Sequence, residues 1–474
     1  MSKFNTTNTA KTTNICGHTA YKMGDELTLT TMVLTTLIGE PKFYGDNTKK
    51  LIELAKKVNP EYLAQLAIFA RKEFHLRSVS HLLAAIVANR VESKKFISSV
   101  VAGVVERADD VTEILACYLN MYGKPIPNGL KRSLAKAMNS FNEYQIAKYN
   151  GGSKAVKFRD VLKLTHAKPK DKYHDTLFNK IITDTLETPY TWEVELSTKG
   201  NTKEVWEELI DSGKLGYMAQ LRNLKNMLQA NPSNLQKVFD NLENAEAVAK
   251  SKQLPFRYYS AVKRLQAAGL ASSKVVSVLD NALEHSVANL PKLPGKTLIA
   301  VDVSGSMGWM ISGKSETTCA GIACLIGAMA SKLCEDCVVQ TFDTQLKDFI
   351  LSPRGSILEQ ADRMNFSGGG TNIALPIIVA LGSKAYYDRI IILSDNEINC
   401  GFKHTCQSLV DKYRKDVNEN LWVHAIDLQG YGTQQFIGSK TNIIAGWSER
   451  VLEFIDLAER GVGSIVDKVK EVKV

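Results

Sequence analysis

No stretch of this 474-residue chain approaches the roughly 20 consecutive apolar residues that a membrane-spanning helix needs. The longest apolar runs, such as 82–88 and 297–303, are far shorter, so passage through a bilayer is not expected. The opening residues 1–14 are rich in Thr, Asn and Lys and lack the apolar core of about 7–15 residues that marks a secretory signal. A flexible tail over 1–16 is expected instead. Cysteine is sparse: eight residues, Cys16, Cys117, Cys319, Cys324, Cys334, Cys337, Cys400 and Cys406, are scattered with no framework spacing. Free thiols in a reducing cytoplasm fit that pattern.

Signatures of common chemistry are missing too. Cys334 and Cys337 have the spacing of half a zinc site, yet no second Cys or His pair stands at a matching distance. The plainer reading is two cysteines that close a helix and open a strand. Ser304-Gly305-Ser306 is not a nucleophile elbow, and Gly368-Gly369-Gly370-Thr371 lacks the lysine of a phosphate-binding loop. No positioned acid–base pair emerges, and an enzyme is not expected.

What is present is a globular composition, 44% hydrophobic and 23% charged, over a length that suits two or three domains. The formal net charge of +9 is unevenly spread. Residues 291–474 hold 19 Lys and Arg against 21 Asp and Glu, which leaves 40 basic against 29 acidic residues before them. The first part of the chain is therefore the candidate polyanion binder, although basic residues on solvated helix faces are a commonplace alternative.

The two parts also differ in pattern. From about 25 to 290 the chain reads as successive amphipathic helices, for example 48–58, 61–74 and 79–91, with apolar residues three and four apart as in Leu63, Leu66, Ala67 and Ala70. Breaks at Asn59-Pro60, Pro125-Ile126-Pro127, Gly151-Gly152, Thr188-Pro189, Asn231-Pro232 and Leu254-Pro255 divide it into helices of ordinary length. Paired helices in series, as in HEAT-like repeats, are the simplest architecture, with an irregular bundle as the alternative because no strict period is visible. After Pro291 and Pro294 the pattern becomes strand (297–303), helix (316–333), strand (338–342), helix (372–382) and strands at 389–393 and 422–426. That alternation predicts a doubly wound α/β sheet with functional groups at the carboxyl ends of its strands.

Three loops at such ends carry oxygen donors. Asp302-Val303-Ser304-Gly305-Ser306 puts a carboxylate and two hydroxyls on one turn, Gly370-Thr371-Asn372 adds a hydroxyl, and Ser394-Asp395 a second carboxylate. Hard oxygen donors suit Mg2+ first, with Mn2+ or Ca2+ as alternatives. The set Asp302, Ser304, Ser306, Thr371 and Asp395 resembles the metal-ion-dependent adhesion site of von Willebrand A domains. The resemblance implies that the three hydroxyls reach the cation, that the two carboxylates act directly or through water, and that an open position accepts an acidic group.

Before the linker, the segments 17–23, 143–149, 159–166, 206–215 and 217–224, and Leu254-Pro255-Phe256-Arg257, resemble the TROVE module of the Ro ribonucleoprotein family. That resemblance covers roughly 17–474 and implies a TROVE module over 17–290 and an A domain over 295–474. It implies an all-α HEAT-like ring whose ends the A domain holds together. It further implies binding of small noncoding (Y-like) RNA and of single-stranded 3′ ends of misfolded RNA in quality control, a possible exoribonuclease partner, and a monomer. The competing reading is a metal-dependent protein-interaction adaptor built on the A domain.

Residue chemistry points to several candidate RNA contacts. Lys148, Lys154, Lys157, Arg159 and His166 crowd one stretch with Tyr149 and Phe158 interleaved, a mixture that suits unpaired strands better than a duplex groove. By resemblance, Lys148 and His166 occupy RNA-contacting family positions. Further candidates are Arg71, His75 and Arg77 at an interhelical turn, and Lys131, Arg132 and Lys136, about one helical turn apart.

Overall fold

The computed structural model describes residues 10–14, 16–35, 46–151, 154–288, 290–310, 317–352, 355–364, 366–400, 405–445, 450–461 and 464–474. The chain opens with strands β1 (Lys11–Thr13) and β2 (Thr19–Lys22) and helix α1 (Asp25–Thr35). Ten helices follow: α2 (Asp46–Lys57), α3 (Pro60–Lys72), α4 (Ser78–Asn89), α5 (Ile97–Val104), α6 (Ala108–Tyr122), α7 (Asn128–Met138), α8 (Glu143–Ala147), α9 (Phe158–Thr165), α10 (Lys172–Thr183) and α11 (Trp192–Lys199). Six more are α12 (Lys203–Asp211), α13 (Tyr217–Ala230), α14 (Leu235–Leu242), α15 (Ala245–Ser251), α16 (Pro255–Ala267) and α17 (Ser273–Val287).

The α/β part then runs through β3 (Leu293–Asp302), α18 (Cys319–Leu333), β4 (Cys334–Phe342), β5 (Leu346–Phe349), α19 (Ile357–Arg363), α20 (Leu375–Gly382) and β6 (Arg389–Ser394). It ends with α21 (Cys406–Asp416), β7 (Trp422–Asp427), β8 (Thr433–Gln434), β9 (Thr441–Ala445), α22 (Arg450–Glu459) and α23 (Ile465–Lys470). Among the described residues no helix is long and apolar enough to cross a membrane.

Local chemistry explains the helix ends. Asn59 caps α3, its side chain accepting from Glu61 N and Tyr62 N, with Pro60 at the first helical position where a missing N–H costs nothing. Asn231 closes α13 in the left-handed conformation, and Pro255 opens α16. Helix α18 starts at Cys319, where the Thr318 hydroxyl accepts from Gly321 N; the expected start at 316 lies outside the described residues. Helix α20 begins at Leu375 rather than 372, with Pro376 in its first turn.

The six-stranded sheet has the order β5-β4-β3-β6-β7-β9, parallel except for the antiparallel edge strand β5. Strands β3 and β6 are neighbours in the middle, yet β3 leads on to β4 on its other side. The carboxyl ends of β3 and β6 therefore flank a topological switch point, where a doubly wound sheet opens a crevice. Every residue of β6 is buried, as expected of a strand covered on both faces.

Two compact units form, Met1–Gly39 with Asn201–Asp467, and Glu40–Gly200 with Lys468–Val474. The first unit takes in helices on both sides of residue 290. In the first unit, α16 and α17 are tied to the α/β part by Lys263–Asp362 at 2.7 Å, Ser260–Thr317 at 2.8 Å, and Leu358 N donating to Asp280 at 3.1 Å. The described part of the segment expected as a tail is paired. Lys11–Thr13 pair antiparallel with β2, β2 pairs with β8, and Asn14 Nδ2 donates to Ile398 O at 2.7 Å. Residues 1–9 and 15 of that tail lie outside the described residues.

In the second unit α3 and α4 form the centre, with Tyr62 to Arg71 and Val79 to Ala88 buried. The chain's last residues return to this unit: Gln65 Nε2 donates to the carbonyls of Lys470 (2.9 Å) and Val472 (3.0 Å).

Candidate metal centre and cationic surface

At the switch point, Asp302 ends β3 fully buried. Its Oδ1 accepts from Ser304 N at 2.9 Å and its Oδ2 from the Ser394 hydroxyl at 2.5 Å, so neighbouring turns fix both oxygens. The Thr371 hydroxyl donates to Ser304 Oγ at 2.8 Å, and Ser306 Oγ lies 3.4 Å from Ser304 Oγ. Gly305 N donates to Gly369 O at 2.7 Å, and a Cβ on Gly305 would stand 3.1 Å from Gly368 O, so the two loops meet closely because residue 305 has no side chain.

Asp395 Oδ1 accepts from Glu397 N at 3.1 Å, whereas its buried Oδ2 has no hydrogen-bond partner among the described residues. Burial pushes both carboxyls above the ordinary carboxylate range, and the charge of Asp395 raises Asp302 further. Two buried like charges, three clustered hydroxyls and an orphaned carboxylate oxygen are the donor set a hard divalent cation would neutralise. The residues fit such an ion. Among the described residues no group of three or more His, Cys, Asp or Glu is placed to hold a metal, so the hydroxyls have to complete the set.

One neighbour was missed in the sequence. Asp427, at the end of β7 beside Ser394, is fully buried; its Oδ1 accepts from Gln429 N and Gly430 N, and its Oδ2 has no partner among the described residues. The signal was an Asp directly after the apolar run 422–426.

The candidate RNA residues fall into two sets. At the turn after α3, Arg71 is buried: Nη2 meets Asp110 at 3.2 Å and Glu106 at 3.1 Å, and Nε donates to Val104 O. Arg77 is held by Asp109 at 2.9 Å and Asp110 at 2.8 Å. Acidic groups at and just before the start of α6 thus meet the charge of both guanidiniums. His75 sits half-buried between them in the left-handed conformation.

The second set stays solvent-facing. Lys148, Arg159, His166, Arg132 and Lys136 are exposed, and Lys131, Lys154 and Lys157 half-buried. His166 closes α9 in the left-handed conformation, its N–H donating to Leu162 O, so its ring projects from a helix end rather than from the core. Helix α9 packs on α7 and α10, so the three helices carry one run of candidates. Arg107, absent from the sequence reading, stacks on the Tyr149 ring at 4.4 Å. Residues 128–183 hold 12 Lys and Arg against 4 Asp and Glu. Three of those acids are already engaged: Glu143 with Lys180, Asp160 with Lys157 N and Asp171 with His174. Nearly all of the chain's net charge therefore stands on α7–α10.

Comparison with known families matches the TROVE domain over residues 46–186 and 184–290, and the Ro60 vWA domain over 296–453. The chain belongs to the TROVE-module Ro family. Among curated relatives of the family, Telomerase protein component 1 of Rattus norvegicus is 23% identical over 43% of this chain and 11% of its own length. That of Mus musculus is 49% identical over 16% and 3%. RNA-binding protein RO60 of Deinococcus radiodurans is 26% identical over 44% and 42%. The chain thus spans less than half the length of these relatives. The crystal structure of the Deinococcus radiodurans RO (RSR) protein superimposes with a TM-score of 0.63 at 17% identity, covering 92% of this chain and 100% of that one, and shares its fold.

Proposed function

We propose that this protein is a non-enzymatic RNA-binding protein that holds small noncoding, Y-like RNAs and single-stranded 3′ ends of misfolded RNAs. The observation that carries the reading is the cationic surface of α7–α10, where Lys148, Arg159, His166, Arg132 and Lys136 are exposed and most local acids are engaged. Lysine and arginine neutralise phosphates, and rings between them stack on unpaired bases. The relative called RNA-binding protein RO60 supports the same reading. RNA held in this way is suited to transfer to an exoribonuclease.

Asp302, Ser304, Ser306, Thr371 and Asp395 would hold a divalent cation, Mg2+ first, whose open position takes an acidic oxygen. A specific observation also favours the adaptor reading of this domain: Trp309, Met310 and Phe366 are exposed on the loops that carry the hydroxyls, the apolar surroundings a protein ligand would cover.

The test is binding to a structured RNA with and without a single-stranded 3′ tail, beside a Lys148→Ala/His166→Ala double variant. Tight, salt-sensitive, tail-dependent binding that the variant loses supports the proposal. Binding no better than to a scrambled control overturns it and leaves the adaptor.

A further inference from the structure

Two aromatic side chains on the cationic surface have no role in the core. Tyr144 on α8 and Tyr173 on α10 are each 50% exposed, and they are the only exposed Phe, Tyr or Trp residues among the described residues of the Glu40–Gly200 unit. Scattered exposed apolar residues are ordinary; these two are joined. The Tyr173 hydroxyl accepts from Glu143 N at 3.0 Å, which fixes that ring beside the residue preceding Tyr144. The Tyr173 ring also meets the buried His174 ring edge to face, with centroids 5.1 Å apart and planes at 83°. The ring is thus held from one side and open on the other.

The charges around the pair favour a polyanion. Glu143 is neutralised by Lys180, whose amine reaches its two oxygens at 3.0 and 2.8 Å, and one of those oxygens also accepts from Glu187 N. Lys148 lies four residues after Tyr144 and so shares its helix face. Lys170 and Lys172, both exposed, precede Tyr173 along the chain. Lysines that grip a backbone, with ring faces between them, are how proteins hold single strands, because every base has a face to stack and an unpaired base is free to leave its neighbours.

We propose that Tyr144 and Tyr173 form a stacking platform for unpaired bases of single-stranded RNA beside the phosphate-binding lysines. The proposal rests on the RNA-binding reading above and adds which two rings the unpaired bases meet.

The experiment uses the full chain and a hairpin RNA with a six-nucleotide adenine 3′ tail, compared with the same hairpin bearing an abasic tail. Tyr144→Ala and Tyr173→Ala are each expected to weaken binding to the adenine tail about tenfold, as for one lost base stack, and to leave the abasic tail unaffected. Tyr173→Phe keeps the ring and is expected to keep the affinity. A 2-aminopurine placed in the tail should be quenched by the unaltered protein and recover in the Ala variants. Matched melting temperatures, and Tyr144→Ala in particular, separate this loss from misfolding. Equal affinity for both tails, no effect of the Ala variants, or displacement of both tails alike by polyglutamate would overturn the platform while leaving RNA binding intact. Failure of the unaltered protein to bind either RNA overturns both readings.

Discussion

Asp110 shows how single residues divide between structure and surface. Its carboxylate accepts from Arg71 Nη2, Arg77 Nε and Nη2, Glu106 N and Arg107 N, and His81 Nε2 lies 2.9 Å away, all at 2.8–3.2 Å. Burial alone would raise its pKa, but the His81 hydrogen bond and the charges of His81, Arg77 and Arg71 hold it far below the ordinary carboxylate range. A depressed folded-state pKa contributes stability above the unfolded value of about 4, and that stability fades as pH falls through it. Asp110→Ala should cost about 3–5 kcal/mol in urea unfolding at neutral pH, because the buried Arg71 loses its most buried counter-charge. Asp110→Asn should flatten the acid limb of the stability profile. Residue chemistry at the other centre is opposite in sign, since Asp302 and Asp395 are like charges with no cationic partner among the described residues. Mg2+ at about 100 times its Kd should stabilise the protein by roughly 2.7 kcal/mol, read as a rise in melting temperature, and Asp302→Asn should abolish that rise.

At the scale of elements, long periodic helices were legible and short strands were not. The expected helices at 48–58, 61–74 and 79–91 correspond to α2, α3 and α4 within a few residues, because an apolar face repeated every three to four residues has one way to be buried. Strands β1, β5 and β8 have two to four residues and lie at sheet edges or in the small sheet, where pairing partners rather than local sequence fix the conformation. Strand β9 is longer and wholly buried, yet Thr441–Ala445 carries no alternation to betray it. The return of 468–474 to α3 had no sequence signal at all. Gln65→Leu removes the donor to two carbonyls there and should destabilise the protein by about 1–3 kcal/mol, measured as a lower urea midpoint. Deletion of 468–474 should reproduce that loss, and the deletion combined with Gln65→Leu should add little to it.

For the whole molecule, the distribution of charge governs association. With most of the net charge on α7–α10, RNA affinity should fall steeply with salt, by about 0.7 logarithmic units per phosphate contact on a single strand. Arg132→Ala/Lys136→Ala should reduce the slope of log affinity against log salt by roughly 1.4, whereas Arg77→Ala should leave the slope unchanged, because Asp109 and Asp110 already hold that guanidinium. An equal loss of slope for Arg77→Ala would mean that the cluster at the start of α6 opens to RNA.

The sequence by itself determined the five oxygen-donor residues that stand together at the strand ends, because a fixed order of such residues leaves little freedom once the sheet forms. It also determined the helical class of the first part and the excess of positive charge there. Only the tertiary structure decided which of those charges are available. Arg71 and Arg77 look as free as Arg132 in the sequence, but their counter-ions lie 39 and 32 residues further on, at the start of α6, and no local pattern announces a pairing made by packing. The same holds for Asp427, for the pairing of β1 and β2 with β8, and for the meeting of Tyr173 with Glu143. Each depends on contacts between residues remote in sequence, fixed only when the core closes.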